Sequence, residues 1–452
     1  MKKSLLIILI SIVALSCQKS LNESNLPSAL ESSKNNKADK NNEKTNDILY
    51  VQTNDYRDNQ NAILTYHHVG QGRLQHFGGP TYTRGSGVAN PMQKLGPLDS
   101  DYELRVSADG RFLMAVNSGS NTIAVFAIQS NGKLEHVPGS PFPSGGQTPC
   151  SIDVSGNYVF IVNKSDDPLH PSTMKPNYST FTIDGNGRLT FVSKFETTPG
   201  SSPTQNLVSR NRRFLFGDDF LGFMLMPPVG SLRSFTINGS GSLTPVPGTP
   251  YFIPALLPGK PAGGALGLWE HPTGTTLYVG FPLQGKVGVY GINAATGALS
   301  FQTAVDGGKA ACWIRTTKDG SRMYVLNSGE NTVSVYNTST PSSPVMMQKF
   351  TLKNSGPLYI VPGAGELTTS EPFSLAFSTN EKILYIVNQY TNPDFSFSGN
   401  YNNIHYLDVS ENGLLSEASE PVQIPVPNTV RPKGSVVISA SKSLEESDDD
   451  DD

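Results

Sequence analysis

The chain has 452 residues, with 34 Lys and Arg against 38 Asp and Glu and a formal net charge of −4. It carries no basic stripe and no basic run with interleaved aromatics, which argues against nucleic acid as a partner. Cysteine occurs three times, once at position 17 and otherwise only as Cys150 and Cys312, so the folded part does not depend on a disulfide framework.

Lys2 and Lys3 precede an almost unbroken apolar run from Leu5 to Leu15, interrupted by Ser11. The run has the length of a signal-peptide core and is too short to span a bilayer. It ends at Ala14-Leu15-Ser16-Cys17, which resembles the lipobox of bacterial lipoproteins, with Leu one position later than the usual pattern. The resemblance implies cleavage after residue 16 and acyl chains on Cys17, each buried CH₂ adding about 0.8 kcal/mol of membrane affinity. An exported lipoprotein held at the outer membrane, on its surface or periplasmic side, is the expectation. An ordinary signal peptide with an incidental cysteine is the alternative. Residues 17–46 are rich in Asn, Lys, Ser and Glu and too polar to offset chain entropy, so they read as a disordered tether. Residues 442–452 end in five Asp and read as a solvated acidic tail.

Between these ends, over 47–441, one pattern repeats. A short apolar strand ends in a turn ("LRVSADG", 104–110), and a second strand follows ("RFLMAVN", 111–117). A tight turn leads to a third ("TIAVFAI", 122–128), and a turn of the type "QSNGKL" (129–134) opens a fourth. β-Branched and aromatic residues fill the strands, and Gly, Asn and Asp fill the turns, as strand and hairpin physics requires. The pattern returns at 152–163, 206–219, 268–280, 314–327 and 375–388. Its most regular mark is Gly-x-Leu, at Gly72/Leu74, Gly132/Leu134, Gly187/Leu189, Gly241/Leu243, Gly297/Leu299 and Gly413/Leu415; the sixth copy has Pro341 and Pro344 instead. No segment shows a sustained helical period.

The first copy lacks its first strand. "ILYVQTND" (48–55) and "AILTYHHV" (62–69) match the second and third strands, while "RPKGSVVIS" (431–439) matches a first strand and stops. A ring of sheets left open exposes unpaired edges, and a strand borrowed from the far end closes it. The fold class is therefore all-β, a seven-bladed β-propeller whose C-terminal strand completes the first blade.

In a propeller the first strands line the axis, and the second-to-third and fourth-to-first connections leave from one end, the top. The long insertions fall there: 88–101, 163–178, 217–231, 251–263, 356–371 and 388–403. Long connections tend to be functional, so this end is the expected surface for a protein or carbohydrate partner. Asp166, Asp167, Asp218, Asp219, Phe220, Phe223, Tyr390 and Phe395 are its candidate contacts, with packing onto the propeller as the alternative for the aromatics. The paired Asp residues lack EF-hand spacing and read as solvated carboxylates. No cofactor or metal is implied. Residues entering the first strands face the channel mouth: Glu103, Arg105, Cys150, Cys312, Trp313, Arg315, Glu371, Arg431 and Lys433. Converging carboxylates and guanidinium groups suit an anionic or sugar-like ligand; a wet channel with satisfied charges is the alternative. Glu270 falls where other copies carry an apolar strand residue. It is either a buried carboxylate with a raised pKa or a slip of register.

The repeat resembles the seven-bladed lactonase propellers, the 6-phosphogluconolactonase-like and muconate-lactonizing family, over 48–439. "FLMAVNSGSNTIAVF" and "MYVLNSGENTVSVYN" also resemble the YVTN repeat of surface-layer propellers. The lactonase resemblance implies a His-Pro-His entering a first strand. The matching position here is Thr148-Pro149-Cys150, and no first strand supplies either histidine. A lactonase of the familiar kind would lack its proton-transfer group. Glu371 occupies the first His place in the seventh blade, so an altered hydrolase using Glu371, Arg315 and Arg431 remains the alternative to a binding module. Neither Gly-x-Ser-x-Gly nor His-Glu-x-x-His occurs.

Overall fold

The computed structural model describes residues 46–70, 73–88, 99–165, 173–220, 229–258, 262–361, 365–390 and 401–440. The expected leader, Cys17, the tether and the acidic tail lie outside the described residues, as do Asp166, Asp167, Phe223 and Phe395.

Seven antiparallel sheets, each built on four consecutive strand positions, form seven blades. Blade 3 shows the plan: Pro149–Ser155, Tyr158–Asn163, Asn177–Ile183 and Leu189–Glu196 pair in chain order. Blade 1 is closed as the sequence predicts. Asp47–Gln52 pairs antiparallel with Ser435–Ser439, placing Ile48 opposite Ile438 and Tyr50 opposite Val436. The pairing continues past the strand, where the Lys433 N–H donates to the Gln52 carbonyl at 3.0 Å.

Among the described residues the apolar core divides into seven clusters, one between each pair of neighbouring blades. Both faces of the middle strands are therefore covered, and Phe112–Asn117 and Thr276–Phe281 are buried at every position. Two-sided burial is why these strands read as nearly continuous apolar runs rather than as alternation.

The Gly-x-Leu turns are joints between blades. Gly132 has φ +81°, and a Cβ there would lie 2.3 Å from the Ile48 Cδ1 of blade 1. The Tyr50 hydroxyl donates to the Gly132 carbonyl at 2.7 Å, and Tyr324 does the same to Gly413 at 2.7 Å. Where the glycine is missing, Tyr278 reaches Pro341 at 2.8 Å instead. A left-handed backbone and a close neighbour both require the absence of a side chain.

Two features differ from the expected plan. In blades 1, 2, 4 and 7 the outer strand is split: Leu134–His136 and Phe142–Pro143 both pair with Thr122–Ile128. Short, proline-bearing edge pieces discourage pairing with other chains. The insertion 356–371 also has strands of its own, a hairpin of Leu358–Val361 and Gly365–Thr368. All six long insertions follow a second or a fourth strand and so leave from one end of the ring.

Candidate functional site at the propeller axis

Each first strand enters the axis from the insertion-bearing end. In blades 3, 4, 6 and 7 its register is broken at the same place, between Pro149 and Ser151, Pro203 and Gln205, Ala311 and Ile314, and Pro372 and Ser374. A bulge re-aims the side chain beside it. The two cysteines are not channel residues. Cys150 is fully buried in the cluster between blades 3 and 4, and Cys312 packs with Trp313 and Phe220. Burial pushes the Cys312 thiol well above its ordinary pKa, so a reactive thiolate is disfavoured there.

The upper axis is filled by the chain itself. Residues 99–103, which lead into blade 2, cross the ring to blade 6, where Trp313 Nε1 donates to the Ser100 carbonyl at 2.6 Å. Arg315 grips Asp101 with two nitrogens at 2.8 and 2.9 Å. From blade 3, Lys164 Nζ donates to the Asp99 carbonyl at 2.9 Å. From the closing segment, Lys433 Nζ donates to Ser100 Oγ at 2.8 Å and lies 3.7 Å from Glu103 Oε1. Ser100 Oγ donates to the same Glu103 oxygen at 2.8 Å. Burial pushes the Glu103 carboxyl up and the Lys433 ammonium down. Glu103, Trp313, Arg315 and Lys433 were expected to meet a ligand. All four are instead buried: Trp313, Arg315 and Lys433 hold this internal segment and Glu103 belongs to it, its charge matched by Lys433 because a charge taken out of water needs a partner.

Glu371 and Arg431 do come together. Tyr359 donates its hydroxyl to Glu371 Oε1 at 3.4 Å. Burial lowers the Arg431 pKa, and the Glu371 charge opposes that shift. Arg315, the third member of the suggested hydrolytic set, is committed to Asp101.

Four side chains, one of them Tyr102 of the internal segment, stack across the axis. Tyr102, at φ +67°, lies between two guanidinium groups, with Arg105 4.1 Å and Arg315 4.7 Å from its ring centre. Arg315 also covers Trp269 at 4.9 Å. Cation–π contacts of this kind favour arginine. Arg105 is held by Asp153 Oδ1, at 3.0 Å from Nε and 2.5 Å from Nη2, yet keeps 29% of its side chain exposed. That exposed part faces a cleft of ≈ 240 Å³ at the lower end, bounded also by Trp269, Glu270, Arg210 and Arg212. Glu270 is a first-strand residue, 4% exposed, with its carboxyl pushed up to about 6 by burial. The register slip is thereby ruled out.

The partner candidates that are described sit inside the molecule. Asp218 accepts from Thr204 Oγ1 at 2.5 Å and from the backbone of Gln205 and Gly267 at 2.7 and 3.1 Å. Burial pushes its carboxyl up to about 7. Asp219 accepts from Ser231 Oγ at 2.7 Å and Arg233 Nε at 2.8 Å. Phe220 lies in the blade 6–7 cluster, and Tyr390 is buried and stacked on Tyr401 at 5.8 Å. Phe220 packs into the core between two blades and Tyr390 ends the strand Ile383–Tyr390, so both pack onto the propeller. Sequence reasoning missed the segment 99–103 and the lower cleft. The available signals were Glu270, which broke the apolar pattern of its strand, and "SRNRR" (209–213), which sets three arginines in and beside one turn.

A family model described as lactonase, 7-bladed beta-propeller, matches residues 99–177. The chain has the lactonase-like propeller fold. A solved protein from Lactobacillus plantarum is 17% identical with a TM-score of 0.59, covering 86% of this chain and 98% of that one. A putative 6-phosphogluconolactonase from Bacteroides fragilis is 18% identical with a TM-score of 0.55, over 87% and 97%. The periplasmic gluconolactonase of Pseudomonas aeruginosa is 14% identical with a TM-score of 0.58, over 87% and 100%. No curated protein matches the chain. At these identities the lactonase-like propeller is a likeness of fold alone.

Proposed function

We propose that this lactonase-like propeller is an exported, lipid-anchored binding module that offers its insertion-bearing end to a protein or carbohydrate partner. The observation that carries the reading is the filled upper axis. Where a lactonase-type site would open, residues 99–103 occupy the space and pair with Trp313, Arg315 and Lys433. Thr148-Pro149-Cys150 supplies no imidazole at the position the resemblance assigns to one. The signal-like leader and Cys17 support export and acylation. Shortening 163–178, 217–231 and 388–403 together abolishes partner capture on this reading; undiminished capture by the shortened protein overturns it. Mass spectrometry of the mature N-terminus, with and without Cys17→Ala, tests the anchor.

A second reading is favoured by one contact set. Glu371, Tyr359 and Arg431 cluster at the upper rim and suit an acid–base role on an anionic lactone. Turnover of any lactone in a panel, lost in Glu371→Gln, would establish it in place of the first.

A further inference from the structure

We propose that the lower axial cleft is a binding site for a monosaccharide-sized acid, a ring polyol carrying one carboxylate or sulfate group. The site is at the opposite end of the ring from the proposed partner surface and does not rest on that reading.

Size sets the first limit. At ≈ 240 Å³ the space equals roughly eight waters, enough for one sugar ring. Charge sets the second. Arg105, Arg210 and Arg212 border the cleft, while Asp153 is consumed by Arg105. Among the described residues no carboxylate forms an ion pair with the Arg212 guanidinium, while Arg210 Nη2 donates to the Glu270 carbonyl at 3.5 Å and its charge also acts on the Glu270 carboxyl, which leaves three guanidinium groups against two carboxylates. The surplus of guanidinium groups selects an anionic head group, which their planar forks bind through two parallel hydrogen bonds.

Glu270 supplies the third limit. Its Oε2 accepts from the Arg210 N–H at 2.7 Å, and its Oε1 has no hydrogen-bond partner among the described residues. This side chain is more than nine-tenths buried and borders the cleft. An oxygen bordering the cleft can accept from water there, and a ligand hydroxyl can take that water's place without adding positive charge. Trp269 completes the set. Its indole N–H is fixed to Thr316 Oγ1 at 2.8 Å, so the half-buried ring is a rigid apolar wall for the C–H face of a sugar.

The chain has two tryptophans, and Trp313 is buried against Ser100, so a fluorescence change on ligand addition reports on Trp269. The full chain is titrated by calorimetry and fluorescence with D-glucuronate, a 6-sulfated glucose, D-glucose and inorganic phosphate. Saturable binding of the glucuronate or the sulfated sugar, in roughly the millimolar range or tighter, with neither glucose nor phosphate matching it, supports the site. Arg212→Ala, at an exposed turn, and Glu270→Gln each weaken that binding about tenfold or more. Trp269→Phe removes the fluorescence change while calorimetric binding persists. The proposal is overturned if neither acid saturates, if phosphate or glucose binds as well, or if both Arg212→Ala and Glu270→Gln bind like the parent at unchanged thermal stability.

Discussion

The two ends of the axis are built from the same seven first strands and have opposite characters. At the upper end Asp101 and Glu103 are buried and paired, and the segment reaches blades 3 and 6 and the closing segment. At the lower end Arg105 is paired yet partly exposed, and Glu270 keeps one oxygen without a partner among the described residues. The barrel of strands does not decide access to the axis; the connection between blades 1 and 2 does. A propeller of this type can close its usual mouth with its own chain and still leave chemistry at the other.

The contrast is sharpest in what substitution costs. Asp101→Ala removes one partner of the buried Arg315 pair and also the acceptor of the Tyr102 N–H at 2.8 Å. It is expected to cost about 3–5 kcal/mol in denaturant unfolding, whereas replacing Asp101 and Arg315 together by apolar residues costs far less. Equal costs for the single and the double change would mean that the pair is not desolvated.

Asp218 gives the next largest effect, through pH. Its folded pKa of about 7 lies above the ordinary carboxyl value of 3.8. Below pH 4 both states hold the proton. Between 4 and 7 the unfolded chain releases it first, so stability falls as pH rises, and above 7 the slope ends. The loss is on the order of 4 kcal/mol. Unfolding midpoints followed from pH 4 to 8 read it, and a flat profile would show that Asp218 is ionised in the folded state.

At the lower end the same chemistry is weaker. Glu270, raised from 4.5 to about 6, contributes a loss of roughly 2 kcal/mol over that interval, and Glu270→Gln removes this part of the slope. Asp153→Asn breaks the pair with Arg105, which stays partly in water, and is expected to cost about 1–2 kcal/mol. A cost as high as that of Asp101→Ala would erase the distinction between the ends.

The ring was legible in the sequence because its signals are local. Gly132 and Gly413 sit in turns that need both a left-handed backbone and room for the neighbouring blade, so the glycines recur at fixed places. The closing strand was legible as a missing first strand matched by a surplus one. The site was not. Trp313 and Ser100 are 213 residues apart, and no local pattern distinguishes a segment that plugs an axis from one that loops over it. Phe220 and Tyr390 carry the composition of a contact surface and are core residues, because composition does not say which side of a loop faces inward. Glu270 broke the apolar pattern of its strand, and the break marked a real buried carboxylate.

The pairing of Asp47–Gln52 with Ser435–Ser439 couples completion of the toroid to arrival of residues 435–439. As the chain folds, six sheets can form in turn, but the opening sheet waits, one strand short, until residues 435–439 are available. Early termination or a proteolytic cut ahead of 435 therefore yields an unlatched species with a bare edge, and quality control can recognise it by that edge alone.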